Sequence, residues 1–489
     1  MSNGLKKLFS RSTWCLVAMF FAILFAIVTV GAPLLYANEG WINGFLGVET
    51  SMKVDDSSNE TPNVMYYQLD FMQYRWYKNE QTGKYELQTR WNKDGLYNYL
   101  RSVIKNVDTE GSVLLKNDNN ALPLKQGSNV SLFGVSQMPN NYITTGFGSG
   151  AHDANTSDTL RNCLNADGVE VNSRLYNSYE RVAQRYKARS FNTFPDGDLN
   201  YVEFEVNEAP FAEISEAAEA TVGAGQSDTA VFIMSRLGSE NGDTDFSATG
   251  HVDNNYMDLT EDEISVLDKL VEYKTAGKID SIVLVLNTCN AMQFKTIATY
   301  PIDAILWVGT GGTMSHRALA DVLTGKADPN GRLADTYVYD NYSAPSTVNT
   351  GNYTYAQSNG VPAKETYAHN TKYVVYQEGI YVGYKYYETR YEDIAMGVSG
   401  ANGTAGAKAS SGDWAYKQEV AYPFGYGSSY ADFDRTDFKV IRKGNDIYAQ
   451  VTVTNVSETE ASGKDVFQLY LQKPYTEYDK ANGIEKVSR

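Results

Sequence analysis

The chain has 489 residues, enough for roughly two to four domains and a large buried core. Its formal charge of −17 argues against a nucleic-acid partner, because phosphate binding depends on lysine and arginine patches. Three cysteines allow at most a Cys163–Cys289 bridge, and four scattered histidines without His-x-x-x-His spacing make a structural zinc site an unpromising reading.

Lys6, Lys7 and Arg11 precede an uncharged apolar run at residues 15–37. At about 1.5 Å per residue that run is about 35 Å long, enough to cross a bilayer. The basic flank belongs inside, so residues 1–14 read as a cytoplasmic tail and 15–37 as a transmembrane helix. This places the protein at the cell membrane, single-pass, with its bulk extracellular. A cleaved signal peptide ending at Ala37, giving a secreted product, is the competing reading. The run is long for a signal peptide, and Leu35 is a poor small residue near the cut. Residues 38–91 read as a juxtamembrane spacer, partly extended at 64–77.

Leu96, Tyr99, Leu100, Val103 and Ile104 repeat with helical spacing. Short apolar runs at 113–115 and 130–135 are strand candidates, separated by turn residues at 117–120. Gly146, Gly148 and Gly150 follow, but no Gly-Lys-Ser/Thr comes after them, and the dinucleotide fingerprint fails on spacing. No nucleotide cofactor is implied. Helical sequence at 156–188 and 211–224 leads to a strand at 230–234. A polar loop follows, containing Ser235, Arg236, Gly238, Glu240, Asn241, Gly242 and Asp243.

Thr260 and Glu263 form a capping-box pattern ahead of a helix with Ile264, Leu267, Leu270 and Val271 on one face. A strand at 281–286, a helix at 292–298, a strand at 304–308 and a helix at 315–323 follow in alternation. Such alternation with apolar strands predicts a mostly parallel sheet flanked by helices, an α/β sandwich. In such sheets the ligand crevice lies beyond the carboxyl ends of the strands, where the polar loop falls. From Phe433 the pattern changes to period two, at 446–455 and 466–471. It reads as a β-sandwich of immunoglobulin or fibronectin type, which needs about 100 residues. Only residues 431–489 remain, so it is an incomplete β-sandwich, finished by sequence beyond or by another chain.

Six strings in order resemble glycoside hydrolase family 3, the β-glucosidase and β-xylosidase group. They are GSVLLKNDNNALPL at 111–124, the loop at 235–243, residues 284–290, 304–332, YQEGIYVGYKYY at 376–387, and YPFGYGSSY at 422–430. The resemblance implies an α/β-sandwich domain over 92–430 and a truncated fibronectin type III-like domain over 431–489. It also implies the rearranged order in which the (β/α)8 barrel comes last. Carried over, Glu240 is the general acid/base, and Arg236 and Asp243 bind substrate or orient the loop. Ser239 and Asn241 stand where the family usually has glycine. The family's nucleophile is a barrel aspartate; Asp413-Trp414 lacks a preceding apolar strand and does not fit that role.

The resulting expectation is hydrolysis of O-glycosyl bonds, of retaining exo-β-glucosidase type, in carbohydrate catabolism. This chain would contribute the acid/base half, with a β-linked oligosaccharide as substrate, a barrel domain as partner and no cofactor. The alternative is a catalytically inactive cell-surface carbohydrate-binding or interaction protein.

Overall fold

The computed structural model describes residues 17–23, 25, 75–78, 81–88, 93–145, 158–187, 190–193, 202–224, 228–238, 251–349, 353–354, 372–373, 376, 378–397, 401, 414–457, 462–470 and 474–484. The chain divides into two compact units, Met1–Tyr99 and Leu100–Arg489. In the first, residues 17–23 are helical, and a hairpin pairs β1 (Arg75–Lys78) with β2 (Tyr85–Gln88). Among the described residues no helix is long and apolar enough to cross a membrane. Most of the run at 15–37 lies outside the described residues, as does all of the expected spacer before residue 75.

The second unit is built on a six-stranded sheet. Its helix α1 (Lys93–Gly111, begun in the first unit) leads into β3 (Val113–Asn117) and β4 (Asn129–Phe133). Then come α2 (Leu160–Ala166), β5 (Glu170–Val171), α3 (Ser173–Val182), the hairpin β6 (Ser190–Thr193) with β7 (Val202–Glu205), and α4 (Phe211–Thr221). The alternation continues through β8 (Asp228–Arg236), α5 (Glu261–Thr275), β9 (Ile279–Thr288), β10 (Ala304–Trp307) and α6 (Ser315–Leu323). The strand order is β3-β10-β9-β8-β4-β5.

The sheet is mixed, not wholly parallel: β3 runs antiparallel to β10 at one edge, while the other pairings are parallel. After β3 the chain turns through Asp118–Asn120, with Asn119 and Asn120 at positive φ, and enters β4 without a crossover helix. A parallel connection would have needed that helix. The central strands are fully buried, with Val231, Phe232, Ile233, Val283, Leu284 and Val285 all at 0% exposure, which is why they read as unbroken apolar runs. Many tyrosines belong to this interior, including Tyr142, Tyr179, Tyr256 and Tyr273.

The expected helix at 292–298 is absent; that segment is irregular and closes with a single 3-10 turn at Ile297–Thr299. Its apolar residues Met292, Phe294 and Ile297 are buried as separate anchors and do not form a helical face. Beyond α6 come a two-stranded ladder of β11 (Tyr337–Val338) with β14 (Val420–Tyr422), a second of β12 (Tyr353–Thr354) with β13 (Lys372–Tyr373), and the helix Tyr384–Met396. Tyr386, Tyr387, Trp414 and Val420 form a second, small core there.

Where a fibronectin-like domain was expected, the described residues contain one hairpin, β15 (Phe433–Lys443) with β16 (Asp446–Asn455), exposed along both strands, and a short helix, Glu477–Ala481. Residues 466–470 are not a strand, and Val466, Phe467 and Leu469 are exposed. Their period-two pattern anticipates a buried face, yet no sheet lies opposite them among the described residues. The hairpin is pinned at both ends to the turn after α6. Asp328 accepts from Ser429 Oγ at 2.5 Å and Tyr430 N at 2.6 Å, and Asn330 Oδ1 accepts from Lys464 N at 2.6 Å. Gly331 N in turn donates to Ser112 O at 2.9 Å, beside β3.

The carboxyl end of β4 is held by Glu208, which is buried and accepts from Val135 N and Ala209 N. Burial pushes this carboxyl up to about 8, against the effect of those two N–H donors. A carboxyl raised in the folded state stabilises fully below its ordinary value of 4.5, and that contribution is lost as pH rises through about 8. Glu208→Gln should therefore flatten the fall of Tm between about pH 5 and about pH 8. An unchanged slope in a thermal melt series would show that Glu208 does not carry it.

Candidate functional site

The order of the strands reverses between β4 and β8, each followed by a loop leaving the sheet's carboxyl edge. Ligand crevices in open α/β sheets lie at this switch point. The loop after β8 is the one singled out in the sequence. Its strand runs further than the apolar spacing indicated, through Ser235 and Arg236, and only Leu237 and Gly238 of the loop's first half are described. Glu240 and Asp243 lie outside the described residues.

Arg236 is fully buried, and all five of its donors are engaged within the protein. Nε donates to Tyr256 O at 2.8 Å, Nη1 to Ser235 O at 2.9 Å, and Nη2 to Asp258 O at 2.7 Å. The remaining two reach Glu263 Oε1 and Oε2, both at 2.7 Å, as a bidentate pair. No donor remains for a ligand. Its contacts instead join the last residues of β8 to residues 256–258, where the chain returns from the loop. Burial alone would raise the Glu263 carboxyl, but the Arg236 guanidinium and the Thr260 N–H hold it below its ordinary value. Glu263 also completes the capping box with Thr260, as its sequence position anticipates, so one carboxylate serves both helix and loop.

A second junction stands beside it. Asn287, at 0% exposure near the end of β9, accepts from Ser235 Oγ and Ile143 N, both at 2.7 Å. Its Nδ2 donates to Ile143 O at 2.9 Å and Gly309 O at 2.7 Å. One amide thus joins the segments that follow β4 and β10 to β8. Gly238 packs so closely that an added Cβ would lie 2.3 Å from Asn290 Oδ1, so a side chain there would displace the start of the loop.

Around these anchors the edge is hollow. A cavity of about 510 Å³ is lined by Met257, Cys289, Asn290, Trp307, Arg332 and Asp335, among others. A smaller one of about 310 Å³ lies against Asp108, Thr288, Cys289, Trp307 and Thr310. Trp307 Nε1 donates to Thr288 Oγ1 at 3.1 Å, fixing the indole between them. Burial pushes Asp108 up to about 7, and its Oδ2 is enclosed without a hydrogen-bond partner. Burial also raises Asp335. Cys163 and Cys289 are both free thiols, so the one bridge the sequence allowed is not formed.

Asp108, Asn287 and Asp335 were not singled out in the sequence. The signal for Asp108 is its place at the end of an i, i+4 row with Leu96, Leu100 and Ile104, where a carboxylate interrupts an apolar stripe. For Asn287 it is an amide closing the buried run Ile282–Leu286.

Removing one partner of a buried ion pair strands the other charge. Glu263→Gln should accordingly destabilise by about 3–5 kcal/mol in urea unfolding. A loss below about 1 kcal/mol would show that Arg236 is not held as described.

Residues 112–384 match the model of the glycosyl hydrolase family 3 C-terminal domain. β-Glucosidase A of Butyrivibrio fibrisolvens is 28% identical over 396 residues, covering 75% of this chain and 40% of that protein. A β-glucosidase of Ruminococcus albus is 27% identical over 394 residues, covering 78% and 34%. The chain thus spans well under half the length of these relatives. β-Glucosidase 3B of Thermotoga neapolitana, solved in complex with α-D-glucose, superposes with a TM-score of 0.53 at 25% identity, covering 75% of this chain and 43% of that one. With more than half of its length matched to the family model, the chain belongs to glycosyl hydrolase family 3 and carries the family's C-terminal domain.

Proposed function

We propose that this chain supplies the acid/base half of a retaining exo-β-glucosidase-type site, hydrolysing O-glycosyl bonds of β-linked oligosaccharides in carbohydrate catabolism. The observation that carries the proposal is the Arg236 clamp, which anchors both ends of the segment holding Glu240 at the sheet's switch point. Glu240, two residues past Gly238, protonates the departing glycosidic oxygen and then activates water for the second step. Arg236 orients the loop through the backbone before and after it, and Asp243 orients the loop or the substrate.

Retaining chemistry needs a second carboxylate about 5 Å away as nucleophile. We assign it to a (β/α)8 barrel, on a longer form of this polypeptide or on a separate chain. The relatives have room for one, since the stretches matched here are 40% and 34% of their lengths. Trp307 and the two cavities lie beside Cys289, at the end of β9, and offer surface to the leaving-group sugar. We further place the protein at the outer face of the cell membrane through residues 15–37. Retention of the full chain in carbonate-washed membranes is the expected result; complete release would favour a cleaved signal peptide.

Residues 39–489 alone should not hydrolyse nitrophenyl β-glucoside, because the nucleophile is missing. With a barrel domain restored, Glu240→Ala should lower kcat by about 10²–10⁴-fold. Azide should partly rescue that variant on substrates with good leaving groups. Wild-type turnover by Glu240→Ala would sink the assignment. A barrel-complemented chain that binds sugar but never turns over would favour the inactive carbohydrate-binding reading.

A further inference from the structure

The smaller cavity of about 310 Å³, at the ends of β9 and β10, is lined by a single carboxyl group. Its volume lies at the lower end of the range of about 300–1,000 Å³ occupied by small-molecule sites. Asp108, from the last turn of α1, shares the wall with Thr288, Cys289, Trp307 and Thr310. No lysine, arginine or histidine belongs to the lining. Trp307 Nε1, its one side-chain N–H, is already spent on Thr288 Oγ1. The lining side chains therefore offer acceptors and hydroxyls to a ligand, and no cation.

Asp108 is held in place but not paired. Its carboxyl packs over Gly311, where an added Cβ would lie 2.3–2.5 Å from the carboxyl carbon and oxygens. Oδ2 is enclosed with no hydrogen-bond partner; Oδ1, which has none among the described residues either, is not enclosed. The open oxygen thus belongs to a residue of the cavity wall. No neighbouring cation answers it. Lys105, one turn back on α1, is taken by Asp321 of α6 at 3.0 Å, and Glu110 pairs with Lys464 at 2.6 Å. Tyr142, after β4, is kept neutral by burial and then by the Asp108 charge, and Cys289, after β9, by burial. His316, packed against Tyr142, is lowered by burial to about 4. Burial accordingly leaves the Asp108 carboxyl raised to about 7.

We propose that this cavity binds a small organic ammonium ion, with Asp108 Oδ1 as its counter-charge and the Thr288 and Thr310 hydroxyls as further acceptors. A primary ammonium has three donors and no acceptor, the complement of such a lining. The indole of Trp307 is the aromatic wall that favours a cation most. An anion would meet one opposing carboxylate and no balancing charge. The formal charge of −17 further enriches cations around the chain. The inference rests on this cavity alone and stands whether or not Glu240 is catalytic.

The test is calorimetric titration of the full chain with benzylamine and with glucosamine, each against its uncharged counterpart, benzyl alcohol or glucose. At least one amine should bind saturably at about pH 7, and its counterpart at least about tenfold more weakly. The better of the two amines identifies the body of the ligand as aromatic or sugar. Benzylamine stays protonated from about pH 6 to about pH 8, so its affinity should rise about tenfold across that range as Asp108 ionises. At about pH 6 its binding, or that of glucosamine if only the sugar amine binds, should release close to one proton per ligand. Asp108→Asn, isosteric and uncharged, should keep the far-UV spectrum, weaken binding at about pH 8 by at least about tenfold and abolish the proton release. Should that variant not fold, the proton release of the unaltered chain decides. No saturable binding of either amine, equal affinity for the uncharged counterparts, binding without proton release, or unchanged binding by folded Asp108→Asn would overturn the proposal.

Discussion

A guanidinium at zero exposure is the constraint on which the carboxyl edge of this sheet depends. Its charge is tolerable in the interior only because Glu263 neutralises it and three backbone carbonyls take the remaining donors. Those carbonyls belong to the end of β8 and to the segment before α5. The loop between them therefore leaves and returns at two posts set by one side chain. Glu263 is fixed in turn by the first turn of α5, so the strand, the loop and the helix share a single network.

The same device recurs along the edge. Glu208 ties the end of β4 to the start of α4, and Asn287 ties the ends of β8 and β9 to the segments that follow β4 and β10. Parallel strands end with carbonyls and amides that have no further ladder partner. Here buried polar side chains satisfy them, which leaves the crevice walls preorganised and the cavities beside them open. Networks of this kind stiffen a site only when every member is satisfied. Asn287, with both of its polar atoms used, meets that condition, and Asp108 does not.

Much of this was legible in the sequence. The parallel strands announce themselves because they are buried on both faces and read as continuous apolar runs, and the capping box at Thr260–Glu263 is local chemistry. What was not legible depends on contacts distant in sequence. The antiparallel course of β3 is set by pairing with β10, almost two hundred residues away. Met292, Phe294 and Ile297 mimic a helical face while serving as single anchors. Arg236 looks like a loop cation until Glu263, twenty-seven residues on, is placed beside it. The pattern at 466–471 describes a strand whose partners are not among the described residues.

The turn at residues 328–332 has a mechanical consequence. It binds Ser429 and Tyr430 on one side of the β15–β16 hairpin and Lys464 on the other, while Gly331 is pressed against the backbone of Gly111 and Ser112. Tension applied to the chain beyond Lys464 is delivered to that turn, and from it to the edge strand β3, without passing along the hairpin. The hairpin is a slack loop in the load path. The sheet bears the force, and the exposed strands can be rearranged or joined by others while the crevice edge keeps its shape.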